Sequence, residues 1–181
     1  MHGPSGSGKS TLLRAIAGFW PFGRGVIRTP RRFDALFLPQ RPYFPLGTLR
    51  EGVSYPSAPD AHSDAEIKAA LHRVELSRLS ERLDQWRNWA EELSGADQQR
   101  VAFARALLQQ PAWLFCDEAT SDLSNSEQSA LYQLLCRELP NTSIVTVARR
   151  EELAADHTRR WELQRIDGAV YELRDLGMEP A

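Results

Sequence analysis

Gly3-Pro4-Ser5-Gly6-Ser7-Gly8-Lys9-Ser10, at the start of the chain, fits the pattern G-x-x-x-x-G-K-[ST] at every fixed position. Glycines let a backbone curl around an anion with several N–H groups pointing inward. Directly behind the loop, residues 9–17 carry Leu12, Leu13 and Ile16 on one helical face, and Gly18 and Pro21 end the run. The first turn of that helix adds its positive dipole end to the same anion. The loop, together with Thr11, therefore predicts a site for a nucleoside triphosphate, namely ATP. Lys9 supplies a point charge for the β- and γ-phosphates, and Ser10 a hydroxyl for Mg²⁺.

Working outward from the loop, strand and helix patterns alternate. Residues 35–38 form a short apolar run closed by Pro39, a strand. Residues 39–60 are rich in proline and glycine, with a helical turn expected over 48–53. Ser63 and Glu66 have capping-box spacing ahead of Ile67, Ala70, Leu71 and Val74. A helix is expected over 97–110 and stops at Pro111. Residues 112–116 are continuously apolar, as in a strand buried on both faces. A helix over 124–139 and a β-branched strand over 143–147 follow. Asp167-Gly168 sits between two strand patterns, 160–166 and 169–173, as a hairpin turn does. This order predicts an α/β fold with a largely parallel sheet.

Bulk composition narrows the function classes. Of 181 residues, 42% are hydrophobic and 25% charged, the balance of a folded globular chain. The formal net charge is −2, which argues against a domain held to nucleic acid by electrostatics, so no nucleic-acid partner is expected. Cys116 and Cys136 are too few for a disulfide framework and read as reduced thiols. No apolar run has the length needed to cross a bilayer.

The second chemical element is Leu114-Phe115-Cys116-Asp117-Glu118, an apolar strand that ends in two carboxylates. Ligands of open α/β sheets sit at that end of the strands. Asp117 is placed to hold Mg²⁺, and Glu118 to orient or deprotonate an attacking water. A strand leaving the core into a solvated turn has the same pattern. The phosphate loop is what gives the carboxylate pair its meaning.

Taken in order, the phosphate loop, Leu38-Pro39-Gln40, Leu93-Ser94-Gly95-Ala96-Asp97-Gln98-Gln99-Arg100 and Asp117-Glu118-Ala119-Thr120-Ser121 resemble the ATP-binding domain of ABC transporters. The match covers nearly the whole chain. Pro42-Tyr43 and Gly47-Thr48-Leu49-Arg50-Glu51, with the Trp86 and Trp89 region, resemble the subfamily of peroxisomal acyl-CoA half-transporters and their bacterial relatives. The resemblance implies a P-loop NTPase (RecA-like) core over about 1–50 and 111–173, and an inserted helical subdomain over about 51–110. It implies that Gln40 touches Mg²⁺ and water. It implies that Ser94, Gly95, Ala96 and Asp97 form the signature turn that closes on a partner's nucleotide in a head-to-tail homo- or heterodimer. Ser121-Asp122-Leu123 would lie at the dimer seam. The implied partner is a transmembrane domain, in the same longer chain or a separate subunit, with this domain cytoplasmic at the inner face of the cell membrane.

Three features depart from the family pattern. Ala96 stands where a second glycine is usual, which predicts a steric cost beside the phosphate. Arg149 stands where the family has its switch histidine. Arginine can donate to the γ-phosphate but cannot shuttle a proton near neutral pH. His157 falls where a second family histidine often occurs, as a candidate for that role or as a solvated surface residue. Finally, no strand pattern precedes Gly3, so the reading is of a core lacking its N-terminal strands, with open sheet edges. The leading expectation is an ABC-type ATPase domain powering transport, with Lys9, Gln40, Glu118 and Arg149 as catalytic residues. The alternatives are a nucleotide-binding module with little turnover, and a soluble ABC ATPase acting on DNA or ribosomes. The near-neutral charge disfavours the last of these.

Overall fold

Gly8 has φ 91°, a conformation costly for any residue with a Cβ, and this turns the loop directly into a helix. That helix is α1 (Lys9–Ile16). The structure, a computed structural model, describes residues 1–28, 34–147, 157–168 and 170–177. After α1 come β1 (Ala35–Leu38), β2 (Gly47–Thr48), α2 (Leu49–Ser54) and α3 (Asp64–Arg73). A 3-10 turn over Ser77–Arg82 leads to β3 (Trp86–Arg87), α4 (Trp89–Glu92) and α5 (Gly95–Gln109). The chain continues with β4 (Trp113–Asp117), α6 (Asn125–Glu138), β5 (Ser143–Val147), β6 (Trp161–Asp167) and β7 (Val170–Asp175).

The sheet is parallel, in the order β1-β4-β5. Its central strand is apolar on both sides because both sides are covered. Phe115 faces Leu13 of α1 and Val147, with Phe37 and Val145 beside them. Leu114 and Cys116 face the other way, into the large cluster formed with α3, α5 and α6. Burial pushes the Cys116 thiol up to about 12, so it stays protonated, while Cys136 is exposed. The register pairs Leu38 with Cys116 and Asp117 with Val147, leaving Asp117 as the last paired residue at the C-terminal edge of β4.

The expected elements are present, and the capping boxes explain their starts. Ser63 Oγ accepts from the Glu66 N–H, and Glu66 Oε2 accepts from the Ser63 N–H at 2.7 Å. Thr48 and Glu51 do the same for α2, and Ser124 and Glu127 for α6. The helix expected over 97–110 begins two residues earlier, because Ser94 caps it. The β2–β3 pair and α4 were not foreseen; at two and four residues they are too short to show a period. The open edge expected beside the loop is partly occupied. Met1 donates its amine to Thr146 O of β5 at 2.5 Å, and His2 exchanges backbone bonds with Trp161 and Leu163 of β6. The first residues thus lie between β5 and the β6–β7 hairpin.

Two buried arginines fasten α5 to its neighbouring segments. Arg100 donates to Val74 O, Glu75 and Glu127, joining α5 to the end of α3 and to α6. The Ser124 hydroxyl and N–H, with Arg100, hold the Glu127 carboxyl down to about 2. Arg105 donates to Gly52 O and Tyr43 O, each at 2.8 Å, and its guanidinium lies 4.7 Å from the Phe44 ring. Burial lowers its pKa to about 10, which still leaves it charged at neutral pH. Arg105→Met keeps the apolar stem and removes the guanidinium donor from the Gly52 and Tyr43 carbonyls. The expected loss is about 2–4 kcal/mol in urea unfolding. A loss under about 0.5 kcal/mol, the level of an ordinary surface change, would contradict this role.

Candidate active site

The site is assembled at the C-terminal edge of the sheet, where β1 and β4 end and α1 begins. Ser10, the second residue of α1, donates its hydroxyl to Asp117 Oδ1 at 2.6 Å, across 107 residues of chain. Lys9 is 8% exposed, and its ammonium donates to Gly3 O at 2.8 Å and Pro4 O at 2.9 Å. The lysine charge therefore stands inside the curve of the loop. Gly3 is required for space as well as conformation: a Cβ there would lie 2.7 Å from Leu163 O of β6. Gly6 and Gly8 are required for their positive φ alone, since nothing lies near their missing side chains.

Glu118 follows β4 with φ 51°, a left-handed conformation in a residue that is not glycine. Its N–H donates to Val147 O at 2.9 Å, which extends the β4–β5 ladder one step. Such a conformation persists only where its surroundings fix it, and it is common at functional sites. Ser10, Gln40, Asp117 and Glu118 line one cavity of about 390 Å³, with Pro39, Phe37, Arg14 and Arg41 completing its walls. Arg14 and Arg41 were not singled out in the sequence. The signal was available for Arg14, which lies four residues after Ser10 on the same helical face.

The signature residues lie elsewhere. Ser94 caps α5 by accepting from the Asp97 N–H at 3.1 Å, and the Asp97 carboxylate pairs with Arg78 at 2.6 Å. A Cβ on Gly95 would meet the Asp122 carboxylate, an exposed side-chain end that would have to swing aside. Ala96 is half-buried and packs against the large apolar cluster, so the methyl expected to crowd a phosphate has the core as its neighbour. None of Ser94, Gly95, Ala96 and Asp97 lines the cavity that holds Ser10 and Glu118.

Two expectations about the switch position end differently. Arg149 lies outside the described residues. His157 is described, and it is not in the cavity. Its ring nitrogen is 2.9 Å from Thr146 Oγ1, and its ring centre is 5.6 Å from that of Tyr132 of α6. Val145 and Val147 face α1, so Thr146 between them faces the opposite side of the sheet. His157 thus packs on the face away from the phosphate loop.

The family model described as ABC transporter matches residues 1–121. The chain belongs to the ABC transporter family. Its relatives include an uncharacterized ABC transporter ATP-binding protein of Haemophilus influenzae, 42% identical over 164 residues, which cover 91% of this chain and 28% of that protein. ATP-binding cassette sub-family D member 3 of Rattus norvegicus is 36% identical over 163 residues, 86% of this chain and 24% of that protein. Among solved structures, a bacterial Atm1-family ABC exporter with ATP bound superimposes with a TM-score of 0.76 at 26% identity, over 90% of this chain and 31% of that one. The chain therefore spans about a quarter to a third of the length of these relatives. It is an ABC-type ATP-binding domain of the P-loop ATPase class, with sub-family D proteins among its relatives. Among the described residues, no helix is long and apolar enough to cross a membrane.

The backbone at Glu118 offers a test that is independent of ligand. Asparagine tolerates the left-handed region better than glutamate. Glu118→Asn is expected to raise unfolding stability by about 0.5–1 kcal/mol in urea, by the strain relief typical of such sites. A clear loss of stability would show that the backbone there is not strained.

Proposed function

We propose that this domain binds ATP with Mg²⁺ and hydrolyses it, in a head-to-tail dimer that drives a transmembrane partner. The observation that carries the proposal is the meeting of Ser10, Gln40, Asp117 and Glu118 around one cavity beside the phosphate loop. The loop N–H groups and Lys9 bind and orient the phosphates. Glu118, at the rim of the sheet, takes the proton of the attacking water and aims it at the γ-phosphorus. Gln40 positions that water from the facing wall. The phosphates gain most from these groups in the transition state, where charge spreads over the γ-phosphoryl oxygens.

The donors suit Mg²⁺: a hydroxyl, a carboxylate and a side-chain amide oxygen are the hard ligands it takes. Ser10 and Asp117 already converge at 2.6 Å, and phosphate oxygens and water complete such a sphere in sites of this kind. When bound, the ion neutralises phosphate charge and fixes the phosphate geometry. Arg149, in place of a histidine, leaves Glu118 as the general base and contributes charge only.

Placement of the signature turn outside the cavity supports a site completed by a second copy or a related partner. The turn of Ser94, Gly95, Ala96 and Asp97 presents the start of α5, and a helix N-terminus favours an anion through its dipole. We assign the nucleotide-binding core to about residues 1–50 and 111–173 and the helical subdomain to about 51–110. The partner is a transmembrane domain, which places this chain at the inner face of the membrane. Glu118→Gln keeps the shape of the side chain and removes the base. It is expected to lower ATP turnover by about 10²-fold or more while leaving ATP binding intact. Unchanged turnover would overturn the assignment.

A further inference from the structure

Gln99 belongs to the stretch after the signature turn, and the catalytic reading gives it no role. It lies one turn into α5 and is 1% exposed. Its side-chain amide makes three hydrogen bonds to two separate segments. Nε2 donates to Gln40 O at 3.1 Å and to Ser121 Oγ at 3.0 Å. Oε1 accepts from the Asp122 N–H at 3.0 Å. Gln40 Nε2 also donates to Ser121 Oγ at 3.3 Å, and Ser121 Oγ in turn donates to Asp122 Oδ1. One buried amide thus ties the signature helix to the segment carrying Gln40 and to the turn that follows Glu118.

We infer that Gln99 is a positioning residue: it holds Gln40 in the nucleotide cavity and couples that position to the signature turn of its own subunit. The inference rests on the reading of the cavity as an ATPase site. Three facts support it. Gln40 is exposed and lies beyond β1 and Pro39, so the strand alone does not fix it. The bond from Gln99 is made to its main chain, which sets the origin of the Gln40 side chain rather than its tip. On the other side, Gln99 Oε1 holds the main-chain N–H of Asp122, so the first turn of α5 and the Ser121-Asp122 turn are joined backbone to side chain. A shift of the signature turn is therefore passed through Gln99 to Gln40, within one contiguous network of hydrogen bonds. A purely apolar contact would pack α5 equally well but would not specify direction. A glutamine at this site gives two donors and an acceptor, one donor used by the Gln40 segment and the other donor and the acceptor by the Ser121-Asp122 turn.

The test uses the full chain and three variants. Gln99→Met fills the volume and removes all three bonds. Gln99→Glu keeps the acceptor for Asp122 and loses the donors to Gln40 and Ser121. Ser121→Ala removes the shared hydroxyl at an exposed position and guards against a Gln99 variant that does not fold. The readouts are turnover per folded molecule and the Mg²⁺ concentration giving half-maximal turnover. Mg²⁺-free ATP binding, which depends on the loop and Lys9, serves as reference. Gln99→Met and Gln99→Glu are each expected to lower turnover about tenfold or more, as small misplacements of catalytic groups do, and to raise the Mg²⁺ requirement. Mg²⁺-free ATP binding should stay within about twofold, since the loop and Lys9 are untouched. Ser121→Ala should shift both readouts in the same direction, and its effect should not add to that of Gln99→Met. A merely structural glutamine would lower stability and leave the Mg²⁺ requirement unchanged, which would overturn the inference. So would wild-type behaviour of Ser121→Ala if the Gln99 variants do not fold. An active Glu118→Gln variant would instead overturn the underlying ATPase reading. An inactive Glu118→Gln beside a fully active Gln99→Met would overturn this inference alone.

Discussion

The 2.6 Å bond from Ser10 Oγ to Asp117 Oδ1 joins the head of α1 to the edge of the central strand. Each partner reaches it through a different constraint. Ser10 is there because Gly8 turns the loop left-handed and starts the helix at Lys9. Asp117 is there because Leu114, Phe115 and Cys116 fill both faces of the sheet, so the first polar residue emerges at its edge. The strand is buried on two sides, and its register with β1 and β5 cannot slip without turning Phe115 and Cys116 to the wrong clusters. The position of the carboxylate is therefore fixed by packing far from it. Glu118 takes the next position, and its left-handed φ sets it at the same cavity as Gln40 and Asp117.

Polar contacts extend this frame outward. Arg100 and Arg105 leave the same helix, one toward α6 and the end of α3, the other toward α2 and the segment around Tyr43. Both bond main-chain carbonyls as well as charges or rings, so they fix backbone positions rather than merely compensate charge. Gln99 lies on the same helix and does this for Gln40. The start of α5 is the signature turn, and its body is the set of anchors. A domain of this kind transmits small shifts of α5 because packed interiors move as units rather than deform smoothly.

Much of this was legible in the sequence, for physical reasons. Periodicity and caps located α1, α3, α5 and α6, since each has an apolar face and a distinct start or stop. Fixed spacing located the phosphate loop and the carboxylate pair. What remained hidden involves contacts between distant segments. Nothing local to Gln99 shows that its amide meets Gln40 and Asp122, and nothing local to Glu118 shows a positive φ. The packing of the half-buried Ala96 methyl against the apolar cluster is likewise not visible in a motif comparison. His157 reads as a spare histidine, and the alternation of β5 puts its partner Thr146 on the far face of the sheet. The β2–β3 pair is too brief for any periodic signal.

The central claim is that Ser10 and Asp117 form the Mg²⁺ side of a nucleotide site. Calorimetric titration of ATP, with and without Mg²⁺, on the full chain and on Asp117→Asn tests it most directly. The expected result is that Mg²⁺ tightens ATP binding to the unaltered chain, and that Asp117→Asn loses this increment while keeping its Mg²⁺-free affinity. An equal Mg²⁺ increment in both proteins would contradict the account.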